Sequence, residues 1–480
     1  MKRRAGGPSC AAFLTHKVVD VMSLKRDGEA AMNEYLIRTI ADVKAKHAHE
    51  PEFCQTVEEV LSSLGPVIDA HPEYERYDLL ARMTEPDRAV SFRVAWEDDD
   101  HKWHTNTGYR VQFNGAIGPY KGGIRFAPGV NLSVMKFLGF EQTFKNSLTG
   151  LSIGGAKGGA DFDPTGKSES EIMRFCQAFI QGLYRYIGPD TDVPAGDVGV
   201  GGREIGYMFG EYRRLKGNFE NGTFTGKGFS YGGSRIRPEA TGFGAVYYLE
   251  NVLRDDGEEL KGKTIACAGF GNVTWGICRK ATELGAKVVT LSGPDGFVYD
   301  PDGVNTPEKI DYLVEMRNSC RNRVKDYADK FGAEFYPKAK PWGIKADIIM
   351  PSAVQNDVGI DEAKQIAANG VRYYIEVANM PTTNEALKYL QAQPGIIVAP
   401  SKAVNAGGVS VSALEMSQNS ERLFWEAEEV DRMLRSIMNN IYQNSVEAAR
   451  RNGLGYDLVA GANIAGFERV ADAMMQQGPF

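Results

Sequence analysis

Three lysines and one aspartate occur in glycine-rich stretches of the first half of the chain, and these residue types could carry chemistry. The motifs that hold them are GPYKGGIRF at 118–126 with Lys121, FEQTFKNSL at 140–148 with Lys145, GGAKGGADFDP at 154–164 with Lys157, and DVPAGD at 192–197 with Asp197. Glycine beside a charged residue lets a ligand approach the backbone closely. Several lysines together favour an anionic ligand, or an amine whose pKa is lowered by like-charged neighbours. The motifs therefore predict a site for an acidic molecule, although a single lysine in such a loop is most often a solvated surface residue.

The composition is typical of a folded globular protein of two or three domains. The 480 residues are 42% hydrophobic and 24% charged, and the formal net charge is −7. This acidic balance, without a long basic run, argues against a nucleic-acid partner. No apolar stretch approaches the length of about 18 residues that marks a membrane helix, so no membrane partner is expected.

Histidines and cysteines indicate which chemistry is not expected. All six histidines lie at or before His104, so we expect neither a histidine triad nor a metal site in the glycine-rich motifs. The six cysteines form no C-x-x-C pair, which is typical of free thiols in a reducing compartment, and we expect a cytoplasmic protein.

Residues 1–32 are interpreted as an N-terminal extension that is disordered or processed. Their basic start is weakly similar to a transit peptide and leaves a mitochondrial location as the alternative.

Residues 33–231 are predicted to form an α/β domain that binds substrate and supports oligomer formation. Their first part has apolar side chains at helical spacing, and a later part alternates apolar and polar side chains as strands do. Asn131 is expected to cap a helix over 132–148, on which Gln142 and Lys145 share a face. Because the lysine motifs flank this helix, we expect the polar groups to collect at one edge of the domain.

Residues 232–425 are predicted to form a Rossmann-like, doubly wound dinucleotide-binding domain. Helical patterns alternate with five apolar runs that would supply its parallel strands, namely IACAG, VVTL, ADIIMPSA, VRYYIEVAN and GIIVAPS. The helical pattern at 426–480 is long enough to return to the first domain. The predicted fold class is therefore α/β, with an N-terminal substrate domain, a dinucleotide-binding domain and the active site in the cleft between them.

The turn GFGNVT at 269–274 follows the first of these strands and opens a helix. At such a turn, backbone N–H groups and the helix N-terminus bind a pyrophosphate. A G-x-G pair alone is weak evidence, and Thr274 stands where Gly or Ala is usual, but the surrounding strand–turn–helix–strand order favours dinucleotide binding. The candidate cofactor-binding residues of the turn are Gly269, Phe270, Gly271, Asn272 and Val273. Asn272 could also be a simple helix cap.

With these motifs in view, the chain resembles the small hexameric glutamate dehydrogenases of the Glu/Leu/Phe/Val dehydrogenase superfamily. The resemblance covers residues 33–480 and includes RPEATGFG, EVANMPTTNEA, NAGGVSVSALEMSQN and GANIAGF besides the motifs above. It implies reversible conversion of L-glutamate and water to 2-oxoglutarate and ammonium, with NAD or NADP, through an iminium intermediate. It also implies a homohexamer.

The resemblance implies a role for each residue at a matching position. Lys157 would be the catalytic lysine and Asp197 the proton shuttle. The implied substrate-binding residues are Lys121 and Ser412 at the distal carboxylate, Lys145 and Gln142 at the α-carboxylate, and Gly196, Asn405 and Val409 around the pocket. The implied nicotinamide contacts are Thr241, Asn272 and Asn379. In physical terms, a five-carbon dicarboxylate needs a cation at each end, and attack of water on an iminium carbon needs a base of near-neutral pKa.

Two departures from the family and two alternative functions accompany this interpretation. Val354 stands in the segment SAVQN where the family usually has threonine, a change that removes no charge. The loop TGLSI at 149–153 lacks the proline that the family commonly has before the catalytic lysine, which affects its rigidity but removes no charge. A dehydrogenase of an apolar amino acid would share Lys157 and Asp197 but would need an apolar residue instead of Lys121. A catalytically inactive scaffold or cofactor-sensing protein would not need Lys157 and Asp197 intact. Asp197 and Ser412 could also serve only as helix caps.

The residues after the second strand bear on the choice between NAD and NADP. NAD enzymes usually place an acid near the end of this strand, where it accepts from the ribose hydroxyl and repels a 2′-phosphate. Here Asp295 comes three residues after Ser292, and Ser292 could instead bind a phosphate. Arg317, Arg321 and Arg323 could add charge if they reach the pocket; otherwise they form a solvated face. We expect NAD to be slightly favoured over NADP.

Overall fold

The computed structural model of the protein describes residues 33–319 and 321–478. The predicted N-terminal extension over residues 1–32 therefore lies outside the described residues. Two β-sheets with helices packed around them organise the described chain, one in each half of the sequence. Among the described helices, none combines the length and the apolar character that crossing a membrane requires.

A five-stranded mixed sheet forms the centre of the first half. Its strands are β1 Arg88–Glu97, β2 Trp103–Asn114, β3 Tyr120–Phe126, β4 Gly155–Ala160 and β5 Asp192–Gly196. They lie in the order β1-β2-β4-β3-β5, with β4, β3 and β5 parallel and β1 and β2 antiparallel at one side. The helices of this half are α1 Glu34–Lys46, α2 Pro51–Ser62, α3 Gly65–Ala70, α4 Glu73–Arg76, α5 Leu79–Met83, α6 Leu132–Leu148, α7 Glu169–Leu183 and α8 Gly202–Lys216.

The predicted central helix of this half is α6, and it packs directly on β4. The prediction of its start is confirmed, because the Asn131 side chain accepts from the backbone N–H of Val134. Strand β4 is buried along its whole length and consists of glycine and alanine apart from one lysine. A Cβ at Gly155 would lie 2.0 Å from Thr143 Oγ1 of α6, so only glycine allows this approach. The close packing brings Lys157 of β4 to the face of α6 that holds Lys145.

A seven-stranded sheet forms the centre of the second half. Its strands are β6 Thr264–Cys267, β7 Lys287–Gly293, β8 Gly296–Tyr299, β9 Glu334–Pro337, β10 Ile348–Met350, β11 Tyr373–Ile375 and β12 Ile397–Ala399. They lie in the order β12-β11-β10-β6-β7-β8-β9. The helices are α9 Ala240–Asp255, α10 Asn272–Glu283, α11 Pro307–Asn318, α12 Lys325–Phe331, α13 Ile360–Ala368, α14 Asn384–Gln391, α15 Ser401–Val404, α16 Gly407–Glu421, α17 Ala427–Arg451 and α18 Leu458–Gln477.

The predicted doubly wound parallel sheet is confirmed. The five predicted strands are β6, β7, β10, β11 and β12, and they form one continuous parallel block. The sequence did not predict β8 and β9, two four-residue strands that extend the block by antiparallel pairing. The helical pattern at 307–332 is also divided, because α11 ends at Asn318 and α12 begins only at Lys325.

Contacts between the two halves are made by the C-terminal helix and by a buried ion pair. Ser147 Oγ of α6 donates to the Gly466 carbonyl of α18 at 2.8 Å. Lys227 Nζ lies 2.7 Å from Glu415 Oε1 of α16, and neither side chain is exposed to solvent. The division into residues 33–231, 232–425 and 426–480 remains our proposal for the domains.

Candidate active site

The parallel strands β4, β3 and β5 bring the two predicted catalytic residues together. Ile124 in the middle strand pairs with Gly158 on one side and with Gly196 on the other, so Lys157 and Asp197 are neighbours of these pairs. Lys157 Nζ lies 3.0 Å from Asp197 Oδ1, and the exposed fractions of the two side chains are 4% and 15%. The predicted base and the predicted proton shuttle therefore form one nearly buried ion pair at the end of the sheet.

A second cation, Arg125, also holds Asp197. Arg125 Nε donates to Asp197 Oδ2 at 2.7 Å. Burial raises the pKa of Asp197, but the charges of Lys157 and Arg125 outweigh it, and the pKa lies well below its ordinary value. Burial lowers the pKa of Lys157, and the charge of Asp197 opposes that lowering. Asp197 is therefore ionised at neutral pH, whereas Lys157 loses its proton more readily than an exposed lysine.

A small cavity beside this pair is lined by predicted residues from both halves of the chain. Its volume is about 20 Å³, enough for roughly one water molecule. Its lining includes Gln142, Lys145 and Lys157 from the first half and Asn379 from the second. Burial, and then the charge of Lys157, lower the pKa of Lys145 to about 8. The cleft predicted between the domains is thus the place where the α-carboxylate candidates meet the catalytic pair.

Lys121 of β3 and Ser412 of α16 are both buried, and Arg237 acts on both of them. Each of the two residues is 1% exposed. Arg237 Nε donates to Ser412 Oγ at 2.9 Å. The pKa of Lys121 lies well below its ordinary value because of burial and then because of the positive charge of Arg237. Two cations and one hydroxyl therefore collect here, which suits one end of an anionic substrate.

Sequence reasoning did not assign a role to Arg237, although it stands in the motif RPEATGFG. The signal that could have found it is chemical, since an arginine fits a carboxylate better than a lysine does. Its position depends on how closely α9 approaches α16. A Cβ at Gly408 of α16 would lie 2.4 Å from Thr241 Oγ1 of α9, so glycine is needed at this crossing. The same contact holds Thr241, a predicted nicotinamide contact, against α16.

The remaining pocket candidates differ in what their side chains contact. Asn405 Nδ2 donates to the Val377 carbonyl at 2.9 Å and to Asn379 Oδ1 at 3.0 Å. Asn405 Oδ1 is buried and has no hydrogen-bond partner among the described residues, so it can accept from a ligand. Val409 is partly buried against the core of the second half. The backbone of Gly196 ends β5 directly before Asp197.

The glycine turn has the backbone geometry that a phosphate site needs. Gly269 has a φ of 80°, which favours glycine, and its N–H donates to Ser292 Oγ at 2.8 Å. Gly271 precedes α10 without a side-chain cap, so the N–H groups at Asn272 and Val273 can face a ligand. The side chain of Phe270 is 8% exposed and packs into the core beneath the turn. The turn therefore fits a pyrophosphate through its backbone.

Thr274, the residue that departs from the usual glycine or alanine, has a local structural contact. Its Oγ1 donates to the Ala268 carbonyl at 2.9 Å and lies 3.2 Å from Ser352 Oγ. The hydroxyl thus ties the start of α10 to the ends of β6 and β10, and the departure from the pattern leaves the turn intact.

Asp295 differs from the free acid that the sequence pattern suggests. Its Oδ1 accepts from the Val324 N–H at 2.9 Å and its Oδ2 from the Lys325 N–H at 3.0 Å, at the start of α12. Both oxygens are therefore already in use, and a ribose hydroxyl would have to share them. The two arginines nearest to α12, Arg321 and Arg323, pair with Asp326 and are about half exposed.

Comparison with known proteins places these features in a family. The profile of the Glutamate/Leucine/Phenylalanine/Valine dehydrogenase family matches residues 232–478, and that of the Glu/Leu/Phe/Val dehydrogenase dimerisation domain matches residues 86–214. The NAD-specific glutamate dehydrogenase of Clostridium symbiosum is 68% identical over 447 residues, which are 93% of this chain and 99% of that protein.

Two further comparisons agree. The NADP-specific glutamate dehydrogenase of Haemophilus influenzae is 50% identical over 442 residues, which are 92% of this chain and 98% of that protein. A solved glutamate dehydrogenase structure superposes with a TM-score of 0.92 at 68% identity, over 93% of this chain and 99% of that chain. The chain belongs to the glutamate/leucine/phenylalanine/valine dehydrogenase family.

Proposed function

We propose that the protein is a glutamate dehydrogenase, which converts L-glutamate and water to 2-oxoglutarate and ammonium, reversibly, with NAD or NADP. The observation that carries the proposal is the set of buried or partly buried Lys121, Lys145 and Lys157 with Asp197. The Lys157–Asp197 pair can exchange protons, and Lys121 and Lys145 supply a cation for each end of a dicarboxylate. A panel of L-glutamate, L-leucine and L-phenylalanine with NAD tests it: we expect glutamate to be oxidised fastest, and a preference for leucine would contradict it.

In the proposed mechanism, residues of the cleft hold the substrate and move protons. Lys145 binds the α-carboxylate, with Gln142 nearby, and fixes Cα in front of the nicotinamide site. Asp197 accepts a proton from the α-ammonium group, and a dinucleotide bound at the glycine turn would supply the acceptor for the hydride of Cα, which leaves the iminium ion. Neutral Lys157 then accepts a proton from the water that attacks the iminium carbon. Asp197 carries protons to the departing amine, which leaves as ammonium.

The distal end of the pocket favours glutamate over the alternative substrates. Lys121, Ser412 and Arg237 would surround the second carboxylate, and the last of these contributes a charge that an apolar side chain could not compensate. An apolar amino-acid substrate would bring no carboxylate to Lys121 and Arg237, whose burial is offset only in part by the charge of Glu415, which argues against the first alternative. The intact pair of Lys157 and Asp197 argues against an inactive scaffold.

Substrate binding is expected to weaken as the pH rises through the pKa of Lys145. This pKa is about 8, so the charged form is present below that value and is lost above it. We expect the Kd for 2-oxoglutarate to rise by up to about tenfold per pH unit above this value. Calorimetric titration across this range measures the effect, and Lys145→Arg, which keeps its charge, should remove it. A Kd that is constant across the range in the unmodified protein would contradict the role of Lys145.

The cofactor preference is proposed to be NAD. The support is that the Clostridium symbiosum relative named above is NAD-specific, while the Haemophilus influenzae relative is NADP-specific and less similar. We expect kcat/KM for NADH to exceed that for NADPH on the same preparation, by an amount that reflects one phosphate contact, about 1–3 kcal/mol. A tenfold or greater preference for NADPH would contradict this and would point to Ser292 and one of the nearby arginines.

We further propose a homohexamer in the cytoplasm. The matching profile over residues 86–214 is that of a dimerisation domain, which supports assembly through the first half of the chain. The hexamer itself rests on the family resemblance. The segment that suggested a mitochondrial alternative lies outside the described residues.

A further inference from the structure

The register of the first sheet places Arg125 next to Asp197. Strands β3 and β5 are parallel neighbours, and their last pair is Ile124 with Gly196. Arg125 follows Ile124 in β3, and Asp197 follows Gly196 at the end of β5. Arg125 Nε donates to Asp197 Oδ2 at 2.7 Å. A Cβ at Gly123 would lie 2.9 Å from the Cβ of Asp197, so glycine there allows the approach. The contact is thus built into the backbone of the two strands.

The carboxylate of Asp197 is divided between two cations. Oδ1 lies 3.0 Å from Lys157 Nζ, and Oδ2 accepts from Arg125. Arg125 also lines a cavity of about 450 Å³, together with Glu52 of α2 and the segment Gln355–Asn356 that follows β10. Arg125 therefore contacts both this cavity and the carboxylate of Asp197.

We propose that Arg125 is a positioning residue for proton transfer in the cleft. By holding Oδ2, Arg125 fixes the rotation of the carboxyl group so that Oδ1 faces Lys157 and the substrate amine. Asp197 then exchanges protons through one oxygen only. The inference rests on the roles proposed above for Lys157 and Asp197, and it adds a residue to which the family resemblance assigned no role.

The charged groups around Lys157 and Asp197 determine how removal of Arg125 would change the pKa values of these two residues. Asp197 faces Lys157 on β4 and Arg125 on β3, and it also acts on Lys145 of α6. Lys157 faces Asp197, Arg125, Arg110 of β2 and Glu141 of α6. Arg125 lowers the pKa of Asp197 and also that of Lys157, so its loss moves both titrations to higher pH.

The test compares Arg125→Gln with the unmodified enzyme in glutamate oxidation. We expect kcat to fall about tenfold to a hundredfold, as small misplacements of reacting groups do. We expect the acid limb of the pH profile of kcat/KM to move to higher pH and the affinity for NAD to stay the same. Arg125→Lys should keep the acid limb near its original position, because the charge remains, but should still lower kcat.

Arg174→Gln is the matched control, because Arg174 forms an ion pair of the same length, 2.7 Å, with Asp99 in the same half of the chain. It should leave both kcat and the pH profile unchanged.

An unshifted pH profile in Arg125→Gln would overturn the proposal. A loss of NAD affinity that accounts for the whole fall in activity would also overturn it. If Arg125→Gln does not fold, an unaltered kcat in Arg125→Lys would overturn it. Failure of the unmodified enzyme to oxidise glutamate would instead count against the proposed function.

Discussion

Replacing Lys157 with Met is expected to lower kcat for glutamate oxidation by about 10²- to 10⁴-fold, the usual contribution of a general base. The affinity for NADH should stay near its original value, because the role proposed for Lys157 is in the chemical step and the proposed dinucleotide site is the turn before α10. Steady-state kinetics gives kcat, and quenching of protein fluorescence gives the dissociation constant for NADH.

Lys136→Met is the matched control for this substitution. Lys136 is also a nearly buried lysine, 7% exposed, and pairs with Glu50 at 2.7 Å. Its replacement should lower the stability by less than about 3–5 kcal/mol, the cost of an unpaired buried charge, because His47 Nδ1 also lies 2.7 Å from Glu50 Oε2, while kcat changes little. Turnover of Lys157→Met at the level of this control would remove Lys157 from the catalytic role.

The double substitution Lys121→Leu and Ser412→Val is expected to change the substrate preference. Glutamate use should fall by orders of magnitude, because a buried carboxylate that loses its cation costs several kcal/mol. The relative activity with norleucine or methionine should increase, since both are nearly the size of glutamate and are uncharged at the distal end. The ratio of kcat/KM for glutamate to that for norleucine measures the change.

Arg237 limits how far the double substitution can lower the preference for glutamate over norleucine. Its guanidinium donates to Ser412 Oγ in the unmodified protein, and the double variant keeps the arginine but removes this acceptor. We therefore expect Arg237→Met, added as a third substitution, to lower glutamate use further. If glutamate keeps its full advantage over norleucine in the double and triple variants, the distal carboxylate binds elsewhere.

The sequence was sufficient to predict the five parallel strands of the second sheet and the helix α6 beside the cleft. The five strands were visible because each is a short apolar run between helical patterns, and Asn131 marked the start of α6 by its capping chemistry. The roles assigned to Lys121, Lys145, Lys157 and Asp197 stay predictions, although Lys145 and Lys157 line one cavity and Lys157 pairs with Asp197.

Other features depended on tertiary packing and could not be derived from local patterns. Arg125 belongs to the motif GPYKGGIRF, which the sequence analysis singled out. Its contact with Asp197 depends on the register between β3 and β5, which cannot be read from the spacing of residues along the chain. Arg237 is placed by the close crossing of two helices that are distant in sequence. Asp295 has a type and position that suggest a ribose contact, yet its carboxylate caps α12, whose start the sequence did not indicate.

The central claim is that this cleft interconverts glutamate and 2-oxoglutarate, and the absorbance of the reduced nicotinamide tests it most directly. The protein is mixed with 2-oxoglutarate, ammonium and NADH, and in parallel with 2-oxoisocaproate, the keto acid of leucine. We predict rapid loss of the reduced-cofactor absorbance with 2-oxoglutarate, only when ammonium is present, and little loss with 2-oxoisocaproate. No loss with 2-oxoglutarate and either NADH or NADPH, or a faster loss with 2-oxoisocaproate, would contradict the account.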